Sequence, residues 1–163
     1  MNGSVIRRVV GYVLTLEALL LLLPCIVALY YNEQEGYAYL VSSVICLVIG
    51  GAMSLKKPKS NVFYLKEGCV ATALSWIALS VFGAIPFVLT GEIPHFVDAL
   101  FETVSGFTTT GASILGDVES LANCTLFWRS FTHWIGGMGV LVFILAMIPL
   151  SGGSNMNLMR AES

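Results

Sequence analysis

Four apolar runs, each long enough to cross a lipid bilayer, constrain this chain more than any other feature of its sequence. A helix of about 20 apolar residues crosses a hydrocarbon core of ~30 Å. Backbone polar groups find no water in that core, so each run must satisfy them within itself as an α-helix. The sequence therefore predicts an all-α polytopic membrane protein with transmembrane helices at residues 9–31, 37–55, 68–89 and 126–150.

Composition supports this fold class and excludes several functions. Of the 163 residues, 56% are apolar and 11% are charged, whereas a soluble domain is about half apolar and a quarter charged. These values exclude a disordered chain and a nucleic-acid-binding protein with a basic face. Membrane lipid is the expected surrounding, and no nucleic-acid partner is expected. The four cysteines are widely spaced and are interpreted as small core residues: Cys25, Cys46, Cys69 and Cys124.

One segment between the third and fourth runs is too short to cross the membrane. Residues 95–107 read HFVDALFETVSGF, with apolar residues at helical spacing. A helix of this length spans only ~20 Å. It is followed by the small polar residues of 108–113, TTTGAS. A short helix that leads into polar backbone, between two full spans, predicts a re-entrant loop that is enclosed by protein or lines a watery cavity.

The basic residues predict how the chain is oriented. If the amino terminus is cytoplasmic, the second helix returns the chain to the cytoplasm before the lysines of residues 56–66, as the positive-inside rule favours. If residues 95–113 dip and return to the same side, the carboxyl terminus is cytoplasmic as well. Seven of the eight basic residues then lie inside, and Arg129 lies at the outer end of the fourth run. We expect the Arg129 side chain to snorkel to the interface there.

The stretch 108–113 has the composition of an ion-binding loop. A potassium filter replaces the hydration shell of the ion with rings of backbone carbonyl oxygens. Turning successive carbonyls toward one axis demands unusual dihedral angles, which glycine adopts without steric cost, so Gly111 within a threonine run has a physical reason. A short helix that points its carboxyl end at the ion adds partial negative charge. The alternative interpretation is a polar turn between helices.

Two acidic residues of the short helix, Asp98 and Glu102, lie four positions apart and so share one face. They have two interpretations. The carboxylates raise the local cation concentration at a pore mouth, or they bond neighbouring backbone groups.

Two motifs carry a resemblance to a known family. TVSGFTTTGASIL at residues 103–115 resembles the first pore loop of the TrkH-type subunit in the Trk/Ktr/HKT potassium-uptake superfamily, and RSFTHWIGGMG at 129–139 is similar to the start of the following helix. The resemblance extends over the whole chain. It implies two leading transmembrane helices with a cytoplasmic basic loop at residues 1–66. It further implies one helix–re-entrant pore loop–helix repeat at 67–150 and a cytoplasmic tail or linker at 151–163.

The resemblance also implies a function. The chain would be a pore-forming subunit of a bacterial inner-membrane potassium-uptake system, with potassium as substrate, no covalent cofactor and no other metal. Its cytoplasmic partner would be a nucleotide-binding regulatory subunit of the TrkA type. No catalytic residues are expected, since the sequence shows no nucleophile–base pair or phosphate loop. By position, the filter would consist of Thr108, Thr109, Thr110, Gly111, Ala112 and Ser113.

A single filter loop cannot surround an ion, and the family arranges four such units around one pore. We therefore expect three further pore repeats, in cis or in trans. The favoured interpretation is that the chain is an amino-terminal portion of a longer transporter, and the other is that four copies assemble. The alternative function is a non-conducting truncated membrane protein that only associates with full-length subunits. The coupling ion is left open.

A few further positions carry structural expectations. Glu17, inside the first run, requires either a partner across the bundle or a proton. Pro24 predicts a kink in the same helix, and His133 with Trp134 is interpreted as an interfacial packing pair. Small residues in the last run predict close approach of another helix, with the pore helix as one candidate: Gly136, Gly137 and Gly139.

Overall fold

The computed structural model describes residues 3–57, 64–139 and 142, and all regular secondary structure in that part of the chain is helical. The elements in chain order are α1 (Gly3–Leu20), α2 (Leu22–Tyr31), α3 (Gly36–Leu55), α4 (Leu65–Thr90), α5 (Phe96–Phe107) and α6 (residues 123–139).

Three spans are long and apolar enough to cross a membrane: Gly3–Tyr31, Gly36–Leu55 and Leu65–Thr90. They confirm the first three predicted transmembrane helices, although the first and third begin several residues earlier than predicted. The helices extend beyond the apolar runs, and the third includes the exposed Lys66, whose long side chain can reach water while the backbone stays helical. The predicted fourth span, 126–150, and the tail at 151–163 lie partly or wholly outside the described residues.

The first span is broken as Pro24 predicts. Because proline has no N–H, the carbonyl of residue 20 loses its helical partner, and the helix is interrupted at Leu21 between α1 and α2. The Leu21 amide still donates to the Glu17 carbonyl at 2.8 Å. The two halves therefore remain one membrane-crossing unit.

Glycines bring α1 and α3 into backbone contact. A Cβ atom added at Gly50 would lie 2.8 Å from both the Gly11 carbonyl oxygen and the Thr15 amide nitrogen. Ser43 adds a buried hydrogen bond from its hydroxyl to the Ala18 carbonyl at 2.6 Å. Lipid offers helices no hydrophobic gain on association, so such close packing and polar contacts hold the leading pair together.

The short helix α5 confirms the predicted half-span. Its 12 residues extend ~18 Å, and residues 108–122 then run without helix or strand to the start of α6. The helix packs on α4, where Thr103 and Phe107 meet Gly83. The ring of Phe107 also contacts Trp76 edge-on, with centroids 6.1 Å apart.

Two of the three glycines predicted to allow close helix approach do so. A Cβ atom at Gly136 would overlap the Phe107 carbonyl group at the end of α5, and one at Gly139 would lie 2.8 Å from the Trp76 ring. A Cβ atom at Gly137 would meet only Thr109 Cγ2, at 4.0 Å. From the opposite side, Gly106 leaves space for the Thr132 hydroxyl of α6. The end of α5 is thus seated directly on α6.

Carboxylates from two distant loops cap the amino terminus of α6. Glu33, between α2 and α3, accepts hydrogen bonds from the Asn123 amide at 2.8 Å and the Cys124 amide at 3.0 Å. Glu92, after α4, accepts from the Ala122 amide at 2.8 Å. Free amides at a helix start favour negative charge. Partial desolvation by itself raises the pKa of Glu33, but the bonds from Cys124 and Asn123 outweigh it and hold the pKa below its ordinary value.

The Glu33 cap predicts an acid-dependent contribution to stability. Replacing Glu33→Gln should lower the unfolding free energy of the purified chain by about 1 kcal/mol at neutral pH. A lowered folded-state pKa gives stability that is present above the ordinary value of 4.5 and lost as pH falls through the folded value. Melting temperatures of wild type and variant should therefore differ at pH 7 and converge in acid. Glu119→Gln, at an exposed position, is the control; a constant difference at every pH would contradict the prediction.

The seating of α5 on α6 predicts contrasting effects at neighbouring glycines. Gly136→Ala forces the helices apart at the Phe107 carbonyl and should destabilise the chain by about 1–3 kcal/mol. Gly137→Ala has space for its methyl group and should leave the melting temperature close to that of wild type. Thermal unfolding in detergent measures both, and equal losses would show that the helices do not meet as described.

Candidate functional site

The segment after α5 folds back on the end of that helix. The amides of Thr108 and Thr109 donate to the carbonyls of Val104 and Gly106 at 2.9 and 3.0 Å. The Thr110 amide donates to the Ser105 carbonyl at 2.9 Å, and the Gly111 amide approaches the same oxygen at 3.4 Å. Four successive backbone donors thus point toward the helix, where its last carbonyls lack partners.

Left-handed backbone conformations occur at two positions of this segment. Gly111 has φ of +79° and Thr109 has φ of +57°. The unusual dihedral angle expected of Gly111 is therefore present. Thr109 is more telling, because a β-branched residue with positive φ is a rare outlier. Holding it costs about 1–3 kcal/mol and requires surrounding contacts that fix it.

Hydroxyl groups supply part of that fixation. Ser105 donates from its hydroxyl to the Ala112 carbonyl at 2.5 Å. Thr108 donates to the Val104 carbonyl at 2.7 Å, and its hydroxyl lies 2.8 Å from that of Thr110. The side chains from residue 108 to residue 113 are themselves exposed in the described part of the chain. The segment is therefore held by hydrogen bonds to α5 on one side, and its other side is exposed.

Glu102 secures the far end of the segment. Its carboxylate is 2% exposed. It accepts from the Ser113 hydroxyl at 3.0 and 3.1 Å and from the Ile114 amide at 3.2 Å. The geometry thus favours the second of its two predicted roles, since the carboxylate bonds neighbouring groups.

Arg129 of α6 supplies the counter-charge. Its Nε lies 2.5 Å from Glu102 Oε1. The expectation that Arg129 snorkels to the interface is therefore wrong, because a buried carboxylate requires a compensating charge and this guanidinium provides it. The ion pair and the bonds to Ser113 and Ile114 connect α5, the segment that follows it and α6. Asp98 lies half-buried in the first turn of α5, where the helix dipole favours it.

Other residues of α6 pack against α4 and the end of α5. Trp128 is fully buried and donates from Nε1 to the Gly83 carbonyl at 3.1 Å. His133 Nδ1 lies 2.9 Å from the Arg129 carbonyl. The expected interfacial pair of His133 and Trp134 stays a prediction; in the described structure Trp134 stacks on Phe131 with centroids 5.3 Å apart. At helical spacing, the i−3 partner on the same face prevails over the adjacent residue.

The oxygen atoms of the loop are hard donors of the kind that suit alkali and alkaline-earth cations. Within residues 3–57 and 64–139, no group of three or more His, Cys, Asp or Glu side chains could hold a metal ion. A cation at this site would therefore be held by backbone carbonyls and threonine hydroxyls.

Comparison with known proteins agrees with this architecture. The family model of the TrkH cation transport proteins matches residues 36–163. TrkG, a Trk system potassium uptake protein of Escherichia coli strain K12, is 38% identical over 99% of this chain and 34% of its own length. TrkH of the same organism is 36% identical, also over 99% of this chain and 34% of its own length.

The fold matches as well. The crystal structure of the potassium transporter TrkH from Vibrio parahaemolyticus superposes with a TM-score of 0.84 and 31% identity, over 93% of this chain and 33% of that one. The chain thus spans about one third of the length of the relatives it matches. Sequence, family model and fold lead to one conclusion: the chain belongs to the TrkH family of cation transport proteins.

Proposed function

We propose that this chain supplies one of the units that surround a potassium-conducting pore, with residues 108–113 as its part of the selectivity filter. The observation that carries the proposal is the pair of positive φ angles at Thr109 and Gly111. These two alone, in a segment of six, are left-handed, so the sign of φ alternates from residue 109 to residue 112. Such alternation turns successive carbonyls toward the same side, as a carbonyl-lined filter requires.

The hydrogen bonds of the segment support this assignment. The amides of residues 108–111 are engaged by α5, which leaves their carbonyls for another partner. The Ala112 carbonyl accepts from Ser105, so the oxygens of Thr109 and Thr110 are the better ion ligands. Potassium would lose water at these oxygens and move down its electrochemical gradient into the cell.

Three further pore units would complete the ring, in the same polypeptide or in other subunits. The relatives in the comparison, described as potassium uptake proteins or a potassium transporter, are about three times as long as the matched region. By analogy, residues 1–66 form the leading pair, 67–150 the first pore repeat and 151–163 a cytoplasmic segment. The setting would be a bacterial inner membrane with both termini cytoplasmic, and a TrkA-type nucleotide-binding subunit would regulate the pore.

The alternative is a chain that associates with full-length subunits without conducting. In a solitary copy the proposed filter segment is exposed rather than enclosed by other units, which favours this non-conducting alternative. Reconstitution of the purified chain in liposomes decides between the conducting and the non-conducting function. A chain that cannot form the ring alone gives no potassium flux. Flux together with a tetrameric mass shows that four copies form the ring. Flux should appear when the chain is joined to the remaining repeats, and its absence there would refute the proposed function.

Gly111 tests the filter assignment. Gly111→Ser places a side chain at φ of +79°, which costs about 1–2 kcal/mol and distorts the carbonyl row. Potassium-dependent growth of an uptake-deficient strain that expresses the complete transporter should fall, with loss of selectivity over sodium. Gly116→Ser, three residues past the segment, has no atom within 4 Å of its new Cβ and no positive φ. That variant should grow like wild type; unchanged selectivity in Gly111→Ser would exclude residues 108–113 as the filter.

The Glu102–Arg129 pair tests how the segment is held. Removing one member leaves the other charge buried and unpaired, which costs about 3–5 kcal/mol. Glu102→Gln and Arg129→Gln should each reduce potassium selectivity of uptake in the complete transporter. The double variant Glu102→Gln with Arg129→Gln should lose less than the two single losses combined, because no unpaired charge remains. Additive losses in this double-mutant cycle would argue against a direct contact.

A further inference from the structure

An unpartnered carboxyl group lies inside the first leading helix. Glu17 is 1% exposed, and neither of its side-chain oxygens has a hydrogen-bond partner in the described part of the chain. The sequence left two possibilities for this residue, a partner across the bundle or a proton. The described contacts supply no partner. A charged group at the centre of a membrane helix costs ~2.5–3.5 kcal/mol on insertion scales, and such residues mark functional sites by default.

The carboxyl group is directed at the back of the pore helix. A Cβ atom added at Gly83 of α4 would lie 3.1 Å from Glu17 Oε1, 3.0 Å from Thr103 Cγ2 and 3.2 Å from Phe107 Cε2. The carboxyl of α1 and two side chains of α5 thus converge on one glycine. Phe107 is the last residue of α5 and directly precedes the filter segment. A change at Glu17 therefore acts close to the point where the pore helix ends.

Among the described residues, none of the groups that surround Glu17 supplies a counter-charge. From α3, the titratable group within electrostatic range is the buried thiol of Cys46. The α4 and α5 groups that converge with it, Gly83, Thr103 and Phe107, carry no titratable side chain. Arg7 on its own helix is ten residues away, about 15 Å along the axis. An isolated ionised carboxylate is among the most unfavourable groups to bury, so this packing fits the neutral acid.

Glu102 and Glu17 are both buried carboxyl groups, but they have different surroundings. Both carboxyl groups are at least 98% buried, but Glu102 has an arginine, a hydroxyl and an amide around it. Burial alone therefore does not decide which of the two groups is ionised. The difference is that no described group donates a hydrogen bond to the Glu17 carboxyl. One site is built for a carboxylate and the other for a carboxylic acid.

We propose that Glu17 is a proton-binding site behind the pore helix, and that release of its proton disturbs the Gly83–Thr103–Phe107 contact and lowers potassium passage. The ionised group is drawn toward water or a counter-charge, and leaving its position beside Gly83 changes the packing that Thr103 and Phe107 of α5 share with that glycine. The neutral group leaves α5 seated as described. The inference goes beyond the filter assignment, because it concerns a second ligand, the proton, at a second place.

Infrared difference spectroscopy of the full purified chain in a detergent without ester groups tests the protonation directly. A carboxylic acid has a C=O stretching band that a carboxylate lacks. Wild type should show this band at neutral pH, Glu17→Gln should lack it, and the control Glu119→Gln, at an exposed position, should retain it. Should Glu17→Gln fail to fold, alkaline titration of wild type must still abolish the band. If wild type shows no band attributable to Glu17, the proposal is overturned.

Uptake measurements test the consequence for the pore. In the complete transporter, potassium uptake by wild type should fall as external and internal pH are raised together, because the protonated fraction falls. Glu17→Gln mimics the neutral acid and should lose this alkaline decline, whereas Glu119→Gln should keep it. The same decline in wild type and Glu17→Gln would refute the link to the pore. Absence of uptake from every variant would refute the proposed function, while the infrared result still decides the state of Glu17.

Discussion

The lack of water in the hydrocarbon core governs this structure, because every backbone group that leaves a helix there needs a protein partner. Three membrane-spanning helices meet the requirement by themselves. After α5 the chain departs from regular helix, and the amides of residues 108–111 are bonded there by the carbonyls of Val104, Ser105 and Gly106. Glu102 and Arg129 then close the far end of the segment. An irregular loop can thus exist at membrane depth because the pore helix that precedes it also serves as its hydrogen-bonding partner.

Sequence reasoning succeeds for features that depend on neighbours along the chain. Apolar length predicts the spans, Pro24 predicts the break at Leu21, and the short amphipathic stretch 95–107 predicts a half-span. The glycine at position 111 signals its left-handed conformation through its lack of a side chain. All of these are local properties, and a single sequence contains them in full.

Contacts between distant residues are what the sequence leaves open. Arg129 has an obvious interfacial role until a buried carboxylate 27 residues earlier is placed beside it. Glu33 looks like an ordinary loop acid, yet it caps a helix 90 residues later. Thr109 gives no hint of positive φ, because threonine disfavours it and only the surrounding hydrogen bonds enforce it. Charge and hydrogen-bonding capacity are visible in the sequence, but their partners are set by packing.

The Glu33 cap also bears on the order in which the chain is made. Its acceptor oxygens leave the ribosome 90 residues before the amides they bind, an interval of roughly 5–20 s at 5–20 residues per second. The loop between α2 and α3 is therefore synthesised, with its carboxylate, well before the helix that it caps. Once α6 has been synthesised, the Glu33 carboxylate can accept hydrogen bonds from the amides of its first turn. The α2–α3 region thereby helps to position the start of α6, far along the chain from its own residues.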